Sequence, residues 1–119
     1  MTTTRAPLAE CVKHALVKRA RYAFPFEACG FIMNSADPDS EQFVFAVPNV
    51  AKNRRHSWQM DPDYQAMAFR DEENIFGIWH SHPSGPDGPS ETDFKYMIPG
   101  QRFFVVTING VFEYEMRSS

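Results

Sequence analysis

Residues 74–93 read NIFGIWHSHPSGPDGPSETD, and the fold turns on how the first half of that run is read. NIFGIWHSH has a period of two, which predicts a strand with Phe76, Ile78, His80 and His82 pointing one way and Ile75, Gly77, Trp79 and Ser81 the other. The two histidines then share a face. PSGPDGP, rich in proline and glycine, is a loop, and Ser90 opens a short helix beyond it.

Outward from this strand, Leu8, Val12, Ala15, Leu16 and Ala20 recur at steps of three and four, predicting an amphipathic helix from Leu8 to Tyr22 closed by Pro25. GFIM, residues 30–33, is a short apolar strand, and the turn-rich NSADPDS links it as a hairpin to EQFVFAVPN, starting at Glu41. That second strand is apolar on both faces, which implies cover on both sides or nearly so. AKNRRHSWQM is a loop with a short strand at its end. Asp61 can cap a helix starting at Pro62, with Tyr64, Met67 and Ala68 on one face. FFVVTINGVFEYEM closes the chain as two strands joined at Asn109-Gly110. The pattern α-β-β-β-α-β-α-β-β predicts an α+β, layered α/β fold, a mixed β-sheet flanked by helices, in one domain over residues 1–119.

The composition suits such a domain. Apolar residues make up 43% and aromatics 14%, ample for a core without a structural metal or disulfides. A net charge of −3 offers no basic field, so neither nucleic acid nor an anionic membrane is the expected partner. Cys11 and Cys29 have no framework spacing and read as unbridged thiols in a reducing compartment. With no apolar run of the ~18 residues that span a bilayer and no basic-then-apolar start, the expectation is a soluble, cytoplasmic protein.

Two imidazoles at i and i+2 on a strand are a usual way to offer two nitrogens to zinc. Asp93, carried back by the loop, is a candidate third ligand, leaving a fourth position for water as in catalytic zinc sites. The bland reading is a capping box, Ser90-x-x-Asp93, with Asp where Glu is more usual. The two are compatible, since Ser90 can start the helix while Asp93 aims at a metal. Glu27, an acidic residue at the mouth of an apolar strand, is the candidate base for a zinc-activated water, against the alternative of a solvent-facing charge. His14 and His56 read as surface residues, and Cys29 as a small buried apolar one.

His80-Ser81-His82-Pro83, six residues, Ser90, two residues and Asp93 match H-x-H-P-x6-S-x2-D, and Pro25-Phe26-Glu27-Ala28-Cys29-Gly30 matches P-x-E-x-C-G. With VPNVAKN and WQMDP between them, the chain resembles the JAMM, or MPN+, zinc metallopeptidases in a minimal prokaryotic or phage form, from about Leu8 to the last hairpin. The resemblance implies the JAMM/MPN, cytidine-deaminase-like fold and a Zn2+ ion on His80, His82 and Asp93. It also implies Glu27 as general acid/base and Ser90 as a stabiliser of the oxyanion. The implied reaction is hydrolysis of an amide or isopeptide bond at the C-terminal tail of a ubiquitin-like or sulfur-carrier protein. The alternative is a phage tail assembly module in which the metal serves structure or binding, with phage tail proteins as partners.

Overall fold

The computed structural model describes residues 6–35, 37, 42–90, 93 and 100–115. Its elements are α1 (Glu10–Ala23), β1 (Cys29–Met33), β2 (Phe43–Val47), α2 (Pro62–Phe69), β3 (Ile75–Ser81), β4 (Arg102–Thr107) and β5 (Gly110–Glu115). The five strands form one sheet in the order β2-β1-β3-β4-β5. Only β3 and β4 are parallel. A parallel pair cannot be closed by a tight turn and needs a long crossover. Here that crossover begins at His82 and carries Ser90 and Asp93, so the connection forced by topology also holds candidate site residues.

The three inner strands are buried along both faces, which is why their sequences are almost continuously apolar. On one face Leu8, just ahead of α1, and Val12 and Leu16 of α1 pack against Ile32, Trp79, Phe104 and Val106. On the other, Trp58, Met60 and Ala68 cover Cys29, Phe31, Ile78 and Phe103. Burial on this scale, at about 1.5–3 kcal/mol per large apolar side chain, is the main favourable term holding the layers together.

Four expectations are corrected in detail. Between Ile32 and Met33 the β1–β3 register skips Phe76, a β-bulge. The skip reverses parity, so Phe76 stacks on Phe104 under α1 while Ile78 faces the opposite layer. Strand β2 is an edge of the sheet, with Phe43 50% exposed and Val47 its one fully buried residue, so it pairs only with β1 among the described strands. Asp61 does cap α2, accepting from the Asp63 amide at 2.9 Å, but this short helix turns only Ala68 inward and leaves Tyr64 and Met67 exposed. At the last hairpin Thr107 pairs with Gly110, so Ile108 and Asn109 form the turn. No described non-glycine residue has the positive φ that a turn centred on Asn109-Gly110 would demand of Asn109; Gly110, at φ +131°, instead opens β5.

α1 starts two residues later than the periodicity predicts, and its first free amide region is served by Gln42, whose Oε1 accepts from Ala9 at 3.0 Å. The hairpin between β1 and β2 forms as expected, although most of NSADPDS lies outside the described residues. The helix expected from Ser90 also lies largely outside them, with Asp93 alone described as helical.

Gly30 is a close-approach position. A Cβ there would be driven into the Phe45 carbonyl oxygen of β2 and lie 2.9 Å from the Trp79 indole nitrogen. Gly30→Ala is therefore expected to destabilise the fold by about 1–3 kcal/mol, read as a lower urea midpoint at unchanged slope. A wild-type midpoint would contradict the packing described.

Candidate metal centre

Strands β1 and β3 bring the two halves of the site together. Cys29 pairs with His80, and just beyond it the Ala28 amide donates to Ser81 Oγ at 2.8 Å while the Ser81 amide donates to the Ala28 carbonyl at 2.9 Å. Glu27 is thereby placed beside the histidines. Its backbone is held from the other side, its N–H donating to the Arg54 carbonyl at 2.6 Å and its carbonyl accepting from Asn49 Nδ2 at 2.8 Å.

His80 is fully buried, stacked on Trp58 with centroids 5.0 Å apart at 20° and meeting Phe103 edge-on. His82 follows the end of β3, and its Nδ1–H donates to the Pro86 carbonyl at 2.9 Å. The loop that supplies Pro86 is itself anchored: Asp87 accepts from Thr107 Oγ1 at 2.6 Å and from Asn109, and its carbonyl accepts from the Tyr114 hydroxyl at 2.8 Å. The proline- and glycine-rich run is therefore tied to the β4–β5 hairpin.

Ser90 and Asp93 form the capping box and reach the histidines at once. The Asp93 amide donates to Ser90 Oγ at 3.2 Å and the Ser90 amide to Asp93 Oδ2 at 2.8 Å. Asp93 Oδ2 also lies 2.9 Å from His80 Nε2 and 3.0 Å from His82 Nε2, and those two nitrogens are 3.0 Å apart. Glu27, His80 and His82 offer ligand atoms all within 4.8 Å of one another. The structure thus gathers all five residues singled out in the sequence: Glu27, His80, His82, Ser90 and Asp93.

The donor set fits a metal ion. Because the Pro86 carbonyl can only accept, it fixes the proton of neutral His82 on Nδ1 and leaves Nε2 as a lone pair. That lone pair faces the Asp93 carboxylate, and either a proton on Nε2 or a metal ion held by both groups satisfies the pair. His80 Nε2, His82 Nε2 and Asp93 Oδ2 lie 2.9–3.0 Å from one another, and two imidazole nitrogens with a carboxylate oxygen are the donor types that would hold zinc.

Burial dominates the electrostatics. It pushes the Glu27 carboxyl up to about 7, an effect moderated by His82 and reinforced by Asp93. Burial also pushes the Cys29 thiol up to about 12, in keeping with an inert packing residue whose Sγ lies 3.5 Å from the Val47 carbonyl oxygen. His80 is lowered by burial. For His82 burial acts downward, but hydrogen bonds to Asp93 and Pro86 raise it overall. For Asp93 burial acts upward, yet the two histidines hold it well below the usual carboxylate range.

Several contributors lay outside the residues chosen from sequence. Trp58 Nε1 donates to Asp93 Oδ1 at 3.1 Å, and Asn49 ties the Glu27 carbonyl to the Ser57 carbonyl. Ser81 joins β3 to the segment bearing Glu27. Arg55 and His56 are exposed, as expected of a polar loop, but they line one cleft of about 220 Å³ with Glu27, His82 and Ser90. His14 is exposed on α1, away from the cleft.

The mixed five-stranded sheet flanked by helices, with His80, His82 and Asp93 gathered at one end of β3, is an α+β arrangement consistent with the JAB/MPN domains. The chain belongs to the prokaryotic homologs of the JAB domain, whose family model matches residues 10–118. It is 29% identical over 119 residues to a protein named desampylase from Haloferax volcanii, covering 92% of this chain and 86% of the relative. Two solution structures share the fold at 24% identity. Protein DSY2949 from Desulfitobacterium hafniense superposes with a TM-score of 0.68, covering 94% of this chain and 92% of the other. A protein from Salinibacter ruber gives 0.58, covering 93% and 82%. No helix among the described residues is long and apolar enough to cross a membrane.

Proposed function

We propose that this chain, as a single JAB-type domain, is a zinc-dependent isopeptidase that releases a ubiquitin-like protein from conjugates by hydrolysis at its C-terminal tail. The observation that carries the reading is the cluster of His80 Nε2, His82 Nε2 and Asp93 Oδ2, 2.9–3.0 Å apart, with the buried carboxyl of Glu27 beside it. The relative named desampylase supports a modifier of the ubiquitin-like class as substrate.

His80, His82 and Asp93 would hold the ion, which when bound supplies Lewis-acid polarisation of the scissile carbonyl and a more acidic water. Glu27 takes a proton from the attacking water as its oxygen bonds to the carbonyl carbon, and then gives a proton to the leaving amine as the C–N bond breaks. Its burial beside the histidines puts one carboxyl within reach of both transfers. Ser90 Oγ accepts from the Asp93 amide, which leaves its own proton to donate towards charge developing on the carbonyl oxygen in the shared cleft. The comparisons lend no support to the phage-tail alternative.

The test is to load the protein with zinc and incubate it with isopeptide-linked conjugates of ubiquitin-like proteins. Mass spectrometry should show the modifier released with a free C-terminal carboxylate, activity lost to a chelator, and activity restored by zinc. Intact conjugates at every pH from 6 to 9, with zinc demonstrably bound, would sink the proposal.

A further inference from the structure

We infer that Trp58 is a positioning residue for the metal centre, fixing the Asp93 carboxylate through its indole N–H and the His80 imidazole through its ring, a role that rests on the zinc reading above. Asp93 has two oxygens with separate duties. Oδ2 faces both histidine Nε2 atoms and the Ser90 amide, whereas Oδ1 accepts from Trp58 Nε1 at 3.1 Å. A carboxylate anchored at one oxygen can still rotate about its Cβ–Cγ bond and exchange the oxygen it offers. A donor at each end removes that freedom.

The same side chain governs His80. The indole lies 5.0 Å from the imidazole, nearly parallel at 20°, and Phe103 abuts the ring from the side. Sandwiched in this way, and fully buried, the imidazole keeps Nε2 turned to His82 and Asp93. Trp58 thus touches two of the three candidate ligands from a position 9% exposed.

Trp58 is in turn clamped to the candidate base. Asn49 Nδ2 donates to the Ser57 carbonyl at 3.0 Å and to the Glu27 carbonyl at 2.8 Å, and Asn49 Oδ1 accepts from the Gln59 amide at 3.0 Å. The residues on either side of Trp58 therefore share one frame with Glu27. A buried indole N–H needs some partner. Here the partner is a candidate metal ligand, which gives the contact a consequence beyond packing, because donors to a ligating carboxylate orient it and tune its affinity.

Trp58→Phe keeps an aromatic ring against His80 and deletes the N–H. Metal-free wild type and variant are titrated with zinc against a chromophoric chelator, and both are loaded with Co2+ for visible spectroscopy. The expected result is zinc affinity about 10–100-fold weaker in W58F, with altered cobalt d–d bands and an unchanged far-UV circular dichroism spectrum. Wild-type affinity and an identical cobalt spectrum in W58F would overturn the assignment of Trp58 alone. A wild-type chain that takes up no zinc would overturn the proposed function and this inference with it. Should W58F fail to fold, the unaltered protein decides. Its Trp58 indole 15N–1H signal should shift on zinc addition while that of Trp79, bonded to the Phe31 carbonyl at 3.2 Å, stays in place. An unmoved Trp58 signal in zinc-saturated protein overturns the inference.

Discussion

Glu27→Gln is expected to lower kcat/KM by about 10²–10⁴-fold, the usual worth of a positioned acid/base group, while zinc remains bound. The amide keeps the shape and burial of the carboxyl but can neither accept the water's proton nor return it to the leaving amine. The same substitution has a second, independent signature in the metal-free protein. Burial raises Glu27 from 4.5 to about 7, so between those values the native state holds a proton that the unfolded state has lost. Stability from this group is complete below about pH 4.5 and is lost as pH rises through 7, by an amount on the order of 3–3.5 kcal/mol at most. Glutamine has no such slope. Metal-free E27Q should therefore melt above the wild type at pH 8 and alongside it at pH 4.5. Retention of more than a tenth of wild-type kcat/KM would remove Glu27 from the mechanism, and parallel melting curves at both pH values would contradict its buried carboxyl.

The candidate ligands were legible because their geometry is local. A strand fixes the side of His80 relative to His82, and a capping box fixes Asp93 relative to Ser90, whatever the rest of the chain does. Glu27 was legible for another reason, as a charge out of keeping with its apolar surroundings. The misread positions depend on partners that periodicity does not encode. Phe76 changes side because β1 and β3 slip by a residue at a bulge, and Phe43 is exposed because β2 happens to be the edge. Trp58 and Asn49 lie in the WQMDP and VPNVAKN segments but showed no role there for the same reason: their contacts span 35 and 22 positions, to Asp93 and to Glu27. Trp58 read as an apolar end of a polar loop.

Asp93→Ala is expected to abolish activity and weaken zinc binding by more than about 10²-fold, exceeding the effect expected of an outer partner such as Trp58. Its effect on the metal-free fold should run opposite to that of E27Q. Asp93 is held well below the usual carboxylate range by His80 and His82, so its contribution is present above its ordinary pKa of 3.8 and is lost only as pH falls through lower values. At neutral pH, alanine strips the Trp58 indole and the Ser90 amide of their acceptor and leaves His82 without the carboxylate that raises it. Removing one partner from such a buried cluster costs about 3–5 kcal/mol. Asp93→Asn separates the two losses, since its side-chain oxygen can still accept from Trp58 while the charge facing the histidines is gone. D93N should recover part of the stability and little of the zinc affinity. If D93A binds one zinc with wild-type affinity, the triangle of His80, His82 and Asp93 is a hydrogen-bonded cluster, and the carboxylate completing a metal site with the histidines must be sought at Glu27.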